Sequence, residues 1–254
     1  MPRIKTFRTR FARDIVAEFI PPRRRSRRVV ILCDGMPTPP SKRQLMKFLS
    51  SRGYWVFNPR YRGSWESGGK FLKISPHRDI LAVVDQLPRG FKNLNTGKNL
   101  RFRPSSIFLL GGSFGGPAVI LASRDARVTA GVAYAPVVDW LSPSRDEPIE
   151  EVYDHVKVAF GEGYRLSKKN WFKLGQGKFY NPIAEASSID GRKLLLFHAR
   201  DDRSVDWRSV KLFADKTAAR LILLRRGGHI SYADCVLPAH WKRIKKFFAQ
   251  AERK

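Results

Sequence analysis

The stretch Ile107-Phe108-Leu109-Leu110-Gly111-Gly112-Ser113-Phe114-Gly115-Gly116-Pro117 decides the fold. The four apolar residues at its start read as a short strand buried on both faces, and residues 117–123 read as a helix directly behind it. A G-x-S-x-G turn between strand and helix holds its serine in a strained backbone conformation at the carboxyl end of the sheet. Side chains at 111 or 115 are expected to collide with neighbouring backbone there, which is why glycine is needed. A phosphate-binding loop or a plain tight turn is the competing reading of the same glycines. The strand–turn–helix context favours an exposed nucleophile, Ser113.

Outward from this turn, the chain alternates between the two kinds of element. Strands are predicted over residues 11–20, 29–32, 54–58, 128–134, 193–197 and 220–224. Helices are predicted over 41–52 (with Ser41 as N-cap), 77–87, 206–216 and 241–251. This alternation predicts an α/β protein with a mostly parallel central sheet and helices on both faces. Residues 1–28 read as a basic N-terminal extension that includes the first strand, and 29–254 as one domain. The polar, aromatic and Gly/Pro-rich segment at about 139–188 breaks the alternation. It is expected to be a small helical cap insertion that controls access to the site.

A serine hydroxyl is a weak nucleophile without a base. An elbow of this kind calls for an acid and then a histidine further along the chain. The strand at 193–197 runs into His198-Ala199-Arg200-Asp201-Asp202, and the strand at 220–224 runs into Arg225-Arg226-Gly227-Gly228-His229. His229 follows the final strand on a Gly-Gly loop and is the candidate base. His77 and His240 are read as opening helices, His155 lies in the insertion, and His198 sits at a strand end. Spacing alone leaves Asp201 and Asp202 both open as the orienting acid.

The chain has 254 residues with 49 Lys and Arg against 22 Asp and Glu, a formal charge of +27, so an acidic or polyanionic partner stays open. Residues 1–28 alone carry ten Lys/Arg and two Asp/Glu. No helix-turn-helix, zinc-finger or RNA-binding signature accompanies the charge. A non-catalytic protein that binds nucleic acid or anionic membrane through this basic surface is the rival of the enzyme reading. The two cysteines, Cys33 and Cys235, have no metal-ligand spacing. No apolar run is long enough for a transmembrane segment. The basic N-terminus lacks the apolar core of a secretory signal, and the cytoplasm is the expected compartment.

Four stretches carry a family resemblance: Asn58-Pro59-Arg60-Tyr61-Arg62-Gly63-Ser64, Gly111–Gly116, Ala135-Pro136-Val137-Val138-Asp139-Trp140, and His198…Asp202…Val205 with Gly228-His229. In these the sequence resembles the α/β-hydrolase superfamily. Within it, the resemblance is to the prolyl-oligopeptidase-like catalytic domain shared with acylaminoacyl peptidases and dienelactone-hydrolase-like proteins. It implies an α/β-hydrolase fold and a serine hydrolase cleaving an ester or a short peptide or amide bond. Asp202 then becomes the acid of a Ser113-Asp202-His229 triad, and His198 a structural histidine, with Ala199 in place of the usual glycine. The backbone N–H groups of Phe114 and Met36 become the oxyanion hole. Asp34 stands where many relatives carry histidine, which would put an acid beside a developing oxyanion if it pointed inward. Such chemistry proceeds through an acyl-enzyme and needs no metal or organic cofactor. Arg60, Arg62 and Trp65, on the loop after the strand at 54–58, are candidates for binding a substrate carboxylate or aromatic group, or else for supporting that loop.

Overall fold

The computed structural model describes residues 5–253; residues 1–4 of the basic N-terminal extension and Lys254 lie outside them. The strands are β1 (Phe7–Phe11), β2 (Ile15–Ile20), β3 (Arg28–Cys33), β4 (Trp55–Pro59), β5 (Phe91–Lys92), β6 (Asn99–Leu100), β7 (Ser106–Gly112), β8 (Ala130–Tyr134), β9 (Leu194–Ala199) and β10 (Arg220–Leu224). β5 and β6 form a separate two-stranded ribbon. The other eight form one sheet in the order β1-β2-β4-β3-β7-β8-β9-β10. β1 pairs antiparallel with β2, and β2 with β4. From β4 to β10 every pairing is parallel. This is the α/β-hydrolase fold that the motifs imply.

The helices are α1 (Arg43–Ser50), α2 (His77–Gln86), α3 (Gly116–Ala122), α4 (Ile149–Phe160), α5 (Lys168–Trp171), α6 (Trp207–Thr217) and α7 (Pro238–Ala251). Alternation along β3 shows how the sheet is covered. Val29, Ile31 and Cys33 join the apolar layer beneath α2, α3 and α6. Val30 and Leu32 join the opposite layer, which α1 and α7 cover with Leu45, Met46, Leu49, Ile244, Phe247 and Phe248. The period of two along a strand sends neighbouring side chains to opposite faces, so a strand covered on both sides is apolar throughout.

Three expectations change. Residues 11–20 are not one strand: Ala12 and Arg13 adopt positive φ (46° and 69°) and turn the chain, so β1 and β2 form a hairpin within the main sheet. The helix at 41–52 starts later, with Lys42 at the N-cap position and no side-chain cap, so Ser41 does not cap it. The last helix begins at Pro238, three residues before the predicted start, because proline suits the first turn, where its missing N–H has no intrahelical acceptor.

Candidate active site

β7 runs through Gly112 before the chain turns at Ser113, whose φ is 49°, a left-handed conformation that non-glycine residues rarely adopt. The neighbouring glycine at 115 explains how the turn closes. A Cβ there would lie 2.1 Å from the Cys33 carbonyl oxygen and 2.5 Å from that of Asp34. The turn therefore packs directly on the end of β3, and the following one-turn helix at Ser113–Gly115 leads into α3. Phe114 is the second residue of that turn, where an amide N–H has no intrahelical acceptor. The Met36 N–H, on the loop after β3, donates to no protein acceptor among the described residues.

The loops after β9 and β10 meet. His229 Nδ1 donates to Asp202 Oδ2 across 2.9 Å. The Asp202 side chain is wholly buried, and its Oδ1 accepts from the Ser204 and Val205 amides at 2.9 and 3.0 Å. His198, also fully buried, donates from Nε2 to the Val205 carbonyl at 3.0 Å and so fixes the same loop. Asp201 has a different partner: its Oδ1 accepts from the Gly228 amide at 2.9 Å, bracing the loop that carries His229. Adjacent carboxylates thus divide the work of holding the imidazole and holding its loop.

Burial disfavours protonation of His229. The hydrogen bond from its ring to Asp202, the charge of Asp202 and the charge of Glu147 outweigh that and hold its pKa above the ordinary imidazole value. The His229 side chain keeps 28% of its surface exposed, and no hydrogen bond joins it to Ser113 Oγ. Catalytic hydrogen bonds are often open in an unliganded site and tighten with substrate bound.

Ser113 borders a cavity of about 330 Å³, within the range of small-molecule sites. Met36, Phe114, Val137, Trp140 and Trp171 give it apolar walls, and the insertion supplies most of the remainder. Its charged lining is entirely acidic: Asp139, Glu147, Glu150 and Asp206. The net positive charge of the chain is therefore not carried by the cavity lining.

Arg60, Arg62 and Trp65 do not reach this cavity. Arg60 is buried, pairs with Glu18 at 3.4 Å and Glu66 at 3.6 Å, and donates to the Asn58 carbonyl at 2.6 Å. Arg62 donates from Nε to Asp14 at 2.9 Å and from a terminal nitrogen to Asp79, which joins the β1–β2 turn to α2. Trp65 packs edge-on against Phe160 and Tyr164 of the insertion, and its backbone amide donates to the Gly163 carbonyl at 2.8 Å. The polar and ring contacts of these residues run to other parts of the protein and not to the cavity, the arrangement expected of loop support.

Asp34 is 7% exposed and turns away from the cavity. Tyr232 donates its hydroxyl to Asp34 Oδ1, and burial raises the carboxyl's pKa despite the nearby charges of Lys42 and Arg60. Sequence reasoning missed Tyr232. The one available signal was the unusual acid at 34, which if buried would need a donor. It also missed Tyr180, whose hydroxyl donates to the Phe114 carbonyl at 2.7 Å and ties the insertion to the turn at Ser113.

A family model described as the prolyl oligopeptidase family matches residues 40–252, which include every element of this site except the loop at 34–36. The chain belongs to the prolyl oligopeptidase family. It is a serine hydrolase. Solved structures agree on the fold. An esterase of Pyrococcus furiosus superposes with a TM-score of 0.65 at 20% identity, covering 98% of this chain and 90% of the esterase. The acylaminoacyl peptidase of Pyrococcus horikoshii gives 0.61 at 17% identity, covering 98% of this chain but 41% of the peptidase. A puromycin hydrolase gives 0.66 at 20% identity, with 98% and 39% covered. This prolyl oligopeptidase family member thus spans less than half of two of these relatives and nearly all of the third.

Proposed function

We propose that this hydrolase cleaves an ester or a short peptide or amide bond through an acyl-enzyme formed on Ser113. The observation that carries the reading is the 2.9 Å hydrogen bond from His229 to the buried Asp202, on the two loops that leave the sheet at the same end as Ser113. His229 takes the serine proton as Oγ attacks the substrate carbonyl. Asp202 holds the Nδ1–H tautomer and stabilises the imidazolium that forms. The Phe114 and Met36 amides receive the oxyanion, a contribution worth about 2.7–4 kcal/mol per donor. His229 then protonates the leaving group, and water releases the acyl group by the same steps.

The insertion at about 139–188 acts as the cap of this site. Trp140 and Trp171 wall the cavity from it. Arg165 fastens it to the loop after β4, accepting from and donating to that loop: its amide donates to the Gly63 carbonyl at 2.7 Å, and its carbonyl accepts from the Phe71 amide at 3.0 Å.

A fluorophosphonate probe tests the reading. Labelling of the wild type and its loss in Ser113→Ala, with Asp202→Asn and His229→Ala slowed by several orders of magnitude, is the expected result. Labelling that persists in Ser113→Ala would refute the assignment.

A further inference from the structure

The end of the sheet opposite Ser113 carries a second cavity with a different chemistry. It lies where β2 ends and where β3 and β4 begin, and has a volume of about 340 Å³. Arg23, Arg24, Arg25, Arg27 and Arg101 line it. None of the five forms an ion pair among the described residues. The two segments that supply them, residues 19–33 and 86–124, contain no Asp or Glu at all. Five uncompensated guanidinium groups around one hollow repel one another, so the arrangement gains most from a polyanion.

The hollow is also aromatic. Trp55 and Phe102 form part of its wall and stack at 4.6 Å between ring centroids with 20° between planes. Trp55 stacks in turn towards Phe57 and Phe19, so Phe102 ends the stack and stays partly exposed. The arginine turn is held against these rings, because Trp55 Nε1 donates to the Ser26 carbonyl at 3.0 Å. The Ser105 amide likewise donates to the Arg27 carbonyl at 2.9 Å.

We infer that this arginine–aromatic hollow binds single-stranded nucleic acid, with guanidinium groups on successive phosphates and a base against Phe102. All five cations are arginine, whose planar donors pair with phosphate oxygens bidentately and also stack on bases. An aromatic platform inside a cationic groove is the recurring device for unpaired bases, whose π-faces a duplex conceals. An anionic membrane fits less well: none of the large exposed apolar side chains lines the hollow.

The test is fluorescence anisotropy with a labelled 12-nucleotide oligouridylate, at several salt concentrations, on the full chain. A general effect of the +27 charge must be separated from this hollow. Two triple variants with the same charge loss do so: Arg23→Ala/Arg24→Ala/Arg25→Ala in the hollow, and Lys242→Ala/Lys245→Ala/Lys246→Ala on the exposed face of α7. The arginine variant is expected to weaken binding at least tenfold and to flatten the salt slope by about 2, since each phosphate neutralised on a single strand contributes about 0.7. The lysine variant should change affinity less than threefold. Phe102→Leu, which keeps an apolar side chain but removes the ring, should weaken binding severalfold. Ester hydrolysis and thermal unfolding of the arginine variant should match the wild type. Equal losses in the two triple variants, absent binding by the wild type, or sedimentation with phosphatidylserine vesicles without oligouridylate binding would each overturn the inference.

Discussion

The Tyr232 hydroxyl donates to Asp34 Oδ1, joining the segment that follows His229 to the loop that follows β3. This contact faces a buried carboxylate away from the cavity while the Met36 amide, two residues on, has no protein acceptor among the described residues. Tyr232→Phe should leave that carboxylate short of a donor at a cost of about 1–3 kcal/mol. The expected outcome is a lower unfolding midpoint in denaturant and reduced kcat/KM. Adding Asp34→Asn should restore part of the stability, because a neutral amide is cheaper to bury than an unpaired charge. A double-mutant cycle with no coupling between 34 and 232 would contradict this account.

The raised pKa of His229 has a direct kinetic sign. The imidazole must be neutral to accept the serine proton, so kcat/KM should rise with pH through a midpoint above the ordinary imidazole value of about 6.5. Glu147 contributes to that elevation from the cavity wall. A pH–rate profile of Glu147→Gln should therefore show its acid limb displaced to lower pH. A limb that stays in place would mean that the carboxylate at 147 does not act on the imidazole.

Arg62 separates structural support from substrate recognition. Its guanidinium answers Asp79, whose side chain is only 3% exposed, and Asp14. Arg62→Ala removes one partner of a nearly buried pair, and such changes cost about 3–5 kcal/mol where burial is complete. Because the Arg62 side chain keeps 21% of its surface in water, a loss towards about 2–3 kcal/mol is expected in urea unfolding. KM for a neutral ester should stay within about twofold below the unfolding transition. A large rise in KM with unchanged stability would return Arg62 to the substrate.

The acidic cavity lining bears on selectivity. Among p-nitrophenyl esters of matched size, one with a cationic acyl group should show a higher kcat/KM than its anionic counterpart. The preference should shrink as salt is raised, since screening acts within about 10 Å at 0.1 M. Glu147→Gln/Glu150→Gln should narrow the ratio between the two esters. An anionic ester favoured by the wild type would show that the overall positive charge, rather than the cavity wall, governs entry.

The glycine turn around Ser113 is legible in the sequence, because its requirements are local. A strand, a left-handed serine and a glycine packed against the end of β3 involve short-range sterics that the residue types themselves announce. The division of the chain into strands and helices was legible for the same reason, through the periods at which apolar residues recur. The hairpin within residues 11–20 was not, since every residue of Ile15–Ile20 is buried and the run has no alternation to mark its start.

What the sequence by itself determined is therefore the α/β architecture, the strained serine and the candidate acid and base at the ends of later strands. The family resemblance singles out Asp202, which spacing leaves level with Asp201; the tertiary structure set Asp202 against the imidazole and alone gave Asp201 its own partner, the Gly228 amide. It alone decided that Arg60 and Arg62 are consumed by carboxylates, and that a chain of strongly positive charge walls its cavity with acids. The physical reason is range. Steric and propensity effects act between near neighbours in the chain, whereas charge pairing and burial depend on which distant segments the fold brings into contact.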